Sequence, residues 1–161
     1  MIRIEDSIEI NAPIQVVFDA ERNISLHVST QVARGERAVD GIKSGLIELG
    51  QEVEWEAKHF GVCQRLRVRI TEMEKPVYFR DDMIRGAFQM MRHEHFFTEA
   101  GPDRTIKRDV FCFSAPFGLL GRFAEVVFLR HYMTRFLKAK NIEFKRLIES
   151  QSCGETRSKH A

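Results

Sequence analysis

The chain holds 161 residues with a formal net charge of +2, 43% of them hydrophobic and 30% charged, a size and composition that suit one globular domain with a buried core. So small a net charge argues against a nucleic-acid partner, and no apolar run approaches the roughly 18 residues of a membrane-spanning helix. Three scattered cysteines, Cys63, Cys112 and Cys153, have no CxxC spacing and no disulfide pattern; with a charged, alternating start unlike a signal peptide, they predict a protein of the reducing cytoplasm.

Residues 2–10 alternate apolar and polar, with Ile4, Ile8 and Ile10 on one parity, which predicts a half-buried strand. Asn11-Ala12-Pro13 has the character of a helix start, and a short helix is expected over 13–22 with Val16, Val17 and Ala20 on one side. A second short helix is expected over 25–30 and a second strand over 34–39. The three glycines of 41–50 mark a loop or irregular strand that could form a mobile edge over a cavity.

The stretch 51–71 predicts a strand pair. A two-residue turn at Phe60-Gly61 sets His59 opposite Val62, and Glu52, Glu54 and Glu56 then oppose Arg69, Arg67 and Arg65. Three opposed charge pairs specify that register, because a slip of one residue would scatter them. The charged face is expected in solvent, and the face carrying Val53, Trp55, Ala57, His59, Gln64, Leu66, Val68 and Ile70 is expected inside.

Glu74-Lys75-Pro76 reads as a turn, followed by a strand over 77–84 that returns through Arg85-Gly86-Ala87 into a strand over 88–98. A two-residue loop would put Asp82, Gln89 and His93 on one face; a three-residue loop, the preferred reading, groups Phe79, Asp81 and Met83 with Met91, His93, His95 and Phe97. A hairpin loop is expected at 99–103 and a last strand over 104–113. Residues 119–148 then predict one long amphipathic helix, with Phe123, Val126, Leu129, Met133, Leu137, Phe144 and Ile148 among its apolar stripe and Arg130, Lys138, Lys145 and Arg146 on its basic face. The domain is expected to span 1–150, and 151–161 to be a disordered polar tail. Thirteen Phe against one Trp and two Tyr supply large apolar area without polar handles, as a wide apolar interior needs.

The element order, with the stretches Trp55-Glu56-Ala57-Lys58-His59-Phe60-Gly61, Gly86-Ala87-Phe88, His93-Glu94-His95-Phe96 and Ala115-Pro116-Phe117-Gly118, resembles small bacterial proteins of the START-like, or SRPBCC, superfamily, which includes polyketide cyclase/dehydrase-like proteins. The resemblance covers residues 1–148 and implies an α+β helix-grip fold: a curved antiparallel sheet wrapped around a long C-terminal helix, two short helices after the first strand, and an apolar ligand held between sheet and helix.

The cavity wall is then expected to use Trp55, Ala57, Leu66, Met83, Phe88, Met91 and Val126, with polar anchors from His59, Gln64, His93, His95, Glu125 and Tyr132. Three function classes fit these residues. A carrier or sensor of a lipid-, polyketide- or aromatic-like molecule needs only the apolar volume. A cyclase- or dehydratase-type enzyme would transfer protons with an inward histidine, His59 or His93, and a carboxylate, Asp81 or Glu125. A protein-interaction module would use the basic helix face, with the chain a monomer or a homodimer. His93-x-His95 is a feasible ligand spacing, but the usual metal motifs are absent and neither metal nor cofactor is expected.

Overall fold

The computed structural model describes residues 1–30, 35–59, 61–115 and 128–158, with only the backbone of His59 and of 152–158. Seven strands, β1 (Ile2–Ile10), β2 (Arg37–Gly41), β3 (Glu52–His59), β4 (Val62–Glu74), β5 (Tyr78–Arg85), β6 (Met90–Gly101) and β7 (Arg104–Ser114), form one antiparallel sheet in the order β1-β7-β6-β5-β4-β3-β2. Helices α1 (Ile14–Glu21) and α2 (Ile24–Thr30) follow β1, and the long helix α3 (Arg130–Ser158) follows β7. Every connection between sheet neighbours after β2 is a hairpin; only β1, at the far edge, pairs with a strand distant in sequence.

The β3–β4 register is the expected one throughout, from Glu52 opposite Arg69 to His59 opposite Val62. The charged face is less wet than expected. Glu54 is 2% exposed, because Arg85 Nη2 bonds its Oε2 at 2.8 Å while Arg65 and Arg67 lie 3.6 Å away. Glu56 takes Arg65 Nε at 2.9 Å and Arg37 Nε at 3.0 Å, so the ladder extends onto β2. A grid of guanidinium groups covers carboxylates better than one opposed partner could.

Within the β5–β6 hairpin, Asp81 opposes His93 and Phe79 opposes His95. This is the parity of the preferred reading, with the register moved by two residues: a loop over 85–87 would set Asp81 opposite Met91, whereas the strands end at Arg85 and resume at Met90. β2 starts at Arg37 and runs to Gly41, displaced from the expected 34–39. Gly41 is required there: φ is +72°, and a Cβ would stand 2.2 Å from the Glu52 carbonyl oxygen.

Of the expected 119–148 helix, 119–127 lies outside the described residues. At its other end α3 extends past the expected Ile148 to Ser158, and 159–161 lie outside the described residues. The second half of α3 is pinned to β1 and the turn after it: Lys145 Nζ donates to Glu9 O at 2.7 Å, and Glu149 Oε1 accepts from Asn11 N and Nδ2 at 2.8 Å. Leu137, Phe144 and Ile148 enter the core with Ile4, Ile10, Phe18, Phe97 and Phe113. Towards its beginning, at Tyr132, Met133 and Phe136, α3 faces a cavity instead, as does Leu129 just before it.

Candidate functional site

The cavity has a volume of 390 Å³ and lies between the inner face of β3–β7, α2 and the first turns of α3. Inward parity along each strand supplies its wall: Val53, Trp55 and Ala57 from β3, Gln64, Leu66, Val68 and Ile70 from β4, Phe79 and Asp81 from β5, Met91, His93 and His95 from β6, and Phe111 from β7. Trp55, Ala57, Gln64, Leu66, Phe88, Met91, His93, His95 and Tyr132, expected in the pocket, all line it. Met83 does not; it packs beside Leu66 over Gly86. The side chain of His59 and residues Glu125 and Val126 fall outside what the structure describes. Trp55 is held by stacking on His27, ring centroids 4.3 Å apart, and His27 Nε2 meets Glu36 Oε1 at 2.8 Å.

One end of this apolar space is charged. His95 Nδ1 is 2.8 Å from Asp109 Oδ1 and His95 Nε2 is 3.1 Å from Asp81 Oδ1. An ionised carboxylate only accepts hydrogen bonds, so the positively charged ring, which donates from both nitrogens, is the form of His95 that this pair of contacts favours. Burial opposes that charge, yet the hydrogen bonds to Asp109 and Asp81 prevail and raise its pKa above the ordinary value. Asp109 Oδ2 accepts from Lys107 Nζ and, at 2.8 Å, from Asn141 Nδ2, whose amide oxygen takes Lys107 Nζ at 2.8 Å. Although burial works against ionisation of Asp109 too, Lys107 and His95 hold its carboxyl well below the carboxylate range.

Glu21, from the end of α1, closes the cluster: Oε1 accepts from Lys140 Nζ at 2.9 Å and lies 3.6 Å from His95 Nδ1, and Oε2 is 3.4 Å from Lys107 Nζ. Burial would raise its pKa, but Lys107, Lys140 and His95 pull it far down. Three carboxylates, Glu21, Asp81 and Asp109, thus face three cations, Lys107, Lys140 and His95, and the cluster is formally neutral. His93 is the odd member. Its Nε2 lies 3.4 Å from Asp109 Oδ1 but forms no hydrogen bond among the described residues, and burial together with the neighbouring His95 charge lowers its pKa to about 4. The shift favours its neutral form, and its ring lies against that of His95 with the centroids 3.9 Å apart.

Asp81, His93 and His95 were legible as candidates; Glu21, Lys107, Lys140 and Asn141 were missed. The signal for three of them existed. Lys107 shares strand parity with Asp109, Phe111 and Phe113, and Lys140 and Asn141 fall within the helical stripe of Leu137 and Phe144, where a solvated residue would be out of phase.

No protein-family model matches the chain, and no curated protein matches it in sequence. Solved structures do. The protein TTHA0849 from Thermus thermophilus superposes with a TM-score of 0.76 at 12% identity, over 94% of this chain and 99% of that one. A START superfamily protein from Mycobacterium smegmatis matches with a TM-score of 0.72 at 9% identity, over 92% and 98% of the two chains. The chain has the START-type fold. Ara h 8.0201 shares it too, with a TM-score of 0.66 at 11% identity, over 92% of this chain and 98% of that one. Identities this low carry the START-type backbone and no side-chain chemistry, so the charged end of the cavity is argued from this chain alone.

Proposed function

We propose that residues 1–150 act as one START-type domain that binds a hydrophobic small molecule, lipid-, polyketide- or aromatic-like, between the sheet and α3, as carrier or sensor. The observation that carries this reading is the 390 Å³ cavity, within the range of small-molecule sites, apolar over most of its wall and polar at one end. Leu66, Met91, Phe111 and Met133 offer adaptable apolar contacts, Gln64 and Tyr132 supply polar ones, and Trp55 is fixed by His27. The ordered charge cluster supports a ligand whose polar end is orientated and whose body is not.

Native mass spectrometry of the purified protein, followed by denaturation and extraction, tests this. A stoichiometric apolar compound that is lost in Ala57→Trp, which fills the cavity from β3, is the expected result. A protein that carries nothing and takes up neither a fluorescent fatty acid nor a fluorescent aromatic probe saturably overturns it.

One observation favours a second reading, an enzyme of proton transfer: an imidazole, His95, and a carboxylate, Asp81, lie within hydrogen-bond reach at the cavity wall, with Asp109 bonded to the other ring nitrogen behind them. In that reading neutral His93 is the base and His95, held by Asp81 and Asp109, stabilises the negative charge that develops. Turnover of an extracted ligand by the native protein, abolished in His93→Phe with ligand binding retained, would select it.

A further inference from the structure

We propose that Asp81, His93 and His95 form a binding site for one divalent transition-metal ion, of the zinc or ferrous-iron class, at the polar end of the cavity. These three residues each offer one ligand atom, and the three atoms lie within 4.8 Å of one another. Bonds of about 2.0–2.2 Å to imidazole nitrogen and carboxylate oxygen set neighbouring ligand atoms about 3.3 Å apart around a tetrahedral ion. His95 Nε2 and Asp81 Oδ1 already stand 3.1 Å apart, so an ion can take the place of the proton between them with a movement of a few tenths of an ångström, the proton passing to solvent.

His93 supplies the independent observation. It is buried, and its Nε2 has no hydrogen-bond partner among the described residues, a state that native interiors rarely leave unexplained. Ligation through Nε2 satisfies that atom directly. Ligation through Nδ1 leaves Nε2 as the N–H that faces Asp109 Oδ1 at 3.4 Å, the arrangement His95 already makes.

The surroundings have the form of a metal's outer shell. A ligating histidine normally donates its second nitrogen to a carboxylate that is itself held. Here His95 Nδ1 meets Asp109 at 2.8 Å, and the other oxygen of Asp109 is fixed by Lys107 and Asn141. The alternative trio Glu21, His95 and Asp109 is equally close, but Lys107 and Lys140 already occupy its carboxylates. Two imidazoles and one carboxylate form the donor set of open mononuclear sites for zinc and ferrous iron. All three residues line the cavity, so the remaining positions are filled from it, by water or by an oxygen of the molecule it holds.

The site goes beyond the ligand reading and is tested without any apolar ligand. The full chain, stripped with chelator and dialysed, is titrated with Zn2+ by calorimetry and with Co2+ by visible absorption. One equivalent per chain is expected, with the d–d bands of a tetrahedral or five-coordinate cobalt site. Asp81→Asn and His93→Phe should each weaken binding at least tenfold, and His131→Gln, on the exposed face of α3, should not. No stoichiometric binding by the folded native chain, or binding unchanged by Asp81→Asn, overturns the proposal. Should the variants fail to fold, X-ray absorption of the zinc-loaded native chain decides: two histidine nitrogens in the shell support the site, and a shell without histidine overturns it. An empty site leaves the apolar cavity, and the reading built on it, untouched.

Discussion

Replacing Lys140 with methionine keeps the length and apolar stem of the side chain and removes only the ammonium, which isolates the energetic role of the charge cluster. In the native protein Lys140 Nζ stands 2.9 Å from Glu21 Oε1, with the two side chains 6% and 1% exposed. Breaking a buried pair by removing one partner costs about 3–5 kcal/mol, because the other charge stays desolvated. Glu21 would retain Lys107 at 3.4 Å and His95 at 3.6 Å, which places the expected loss near the lower end, about 3 kcal/mol. For a chain of this size that corresponds to a fall in melting temperature of about 6–12 °C.

The pH dependence has a definite sign. Glu21 has a lowered pKa in the fold, so its share of the stability is present above 4.5 and lost as pH falls through the folded value; Lys140 has a raised one, so its share is present below 10.5 and lost as pH rises through the folded value. The gap between native and Lys140→Met is therefore widest between those limits and narrows in acid. Urea unfolding at a series of pH values measures it, and Glu21→Gln combined with Lys140→Met should recover more than half the loss. A loss under about 1 kcal/mol at neutral pH, the range of exposed pairs, would refute the reasoning, since the pair would then be no better than solvated.

Gly41→Ala should lose at least about 2 kcal/mol in urea unfolding, since a Cβ at φ +72° would meet the Glu52 carbonyl oxygen at 2.2 Å; a variant within experimental error of the native protein would contradict the observed β2–β3 approach. Thr105→Val should cost about 1–3 kcal/mol, because the buried Thr105 Oγ1 donates to Ala12 O at 2.8 Å and the carbonyl would be left unpaired; no measurable change would mean that water replaces the hydroxyl. In the metal-free protein at pH 7, nitrogen-detected NMR of the imidazoles should show His93 neutral and His95 doubly protonated. Since the folded pKa of His93, about 4, lies below the ordinary 6.5, that residue costs stability as pH falls through this interval, and His93→Phe should flatten the decline; two histidines titrating together would sink the assignment.

Local pattern determined much of the architecture. Alternation along 2–10, and the ladder of Glu52, Glu54 and Glu56 against Arg69, Arg67 and Arg65, specify strands and register because side-chain direction in a strand has a period of two and like charges in opposition are costly. The β5–β6 hairpin shows how far such reasoning extends: its parity followed from grouping Phe79, Met91 and Phe97, whereas its register stands two residues from the one the pattern implied. Faces depend only on parity, but register depends on turn geometry, and parity alone did not tell that Asp81 lines the cavity while Met83, on the same face, does not.

The candidate site divides in the same way. Trp55, Ala57, Leu66 and Met91 were legible because they are apolar residues on an inward parity, and His93 and His95 because imidazoles on that parity are conspicuous. What the sequence by itself determined was the inward faces of β1 and β3–β6, the long helix and the START-type order of elements. Only the tertiary structure decided that Glu21 from α1, Asp81 from β5, Lys107 and Asp109 from β7, and Lys140 and Asn141 from α3 meet at one end of the cavity. The reason is physical: a buried charge is affordable only beside its counter-charge, and the counter-charges lie as far apart in the chain as Glu21 and Lys140, so no local window holds both partners.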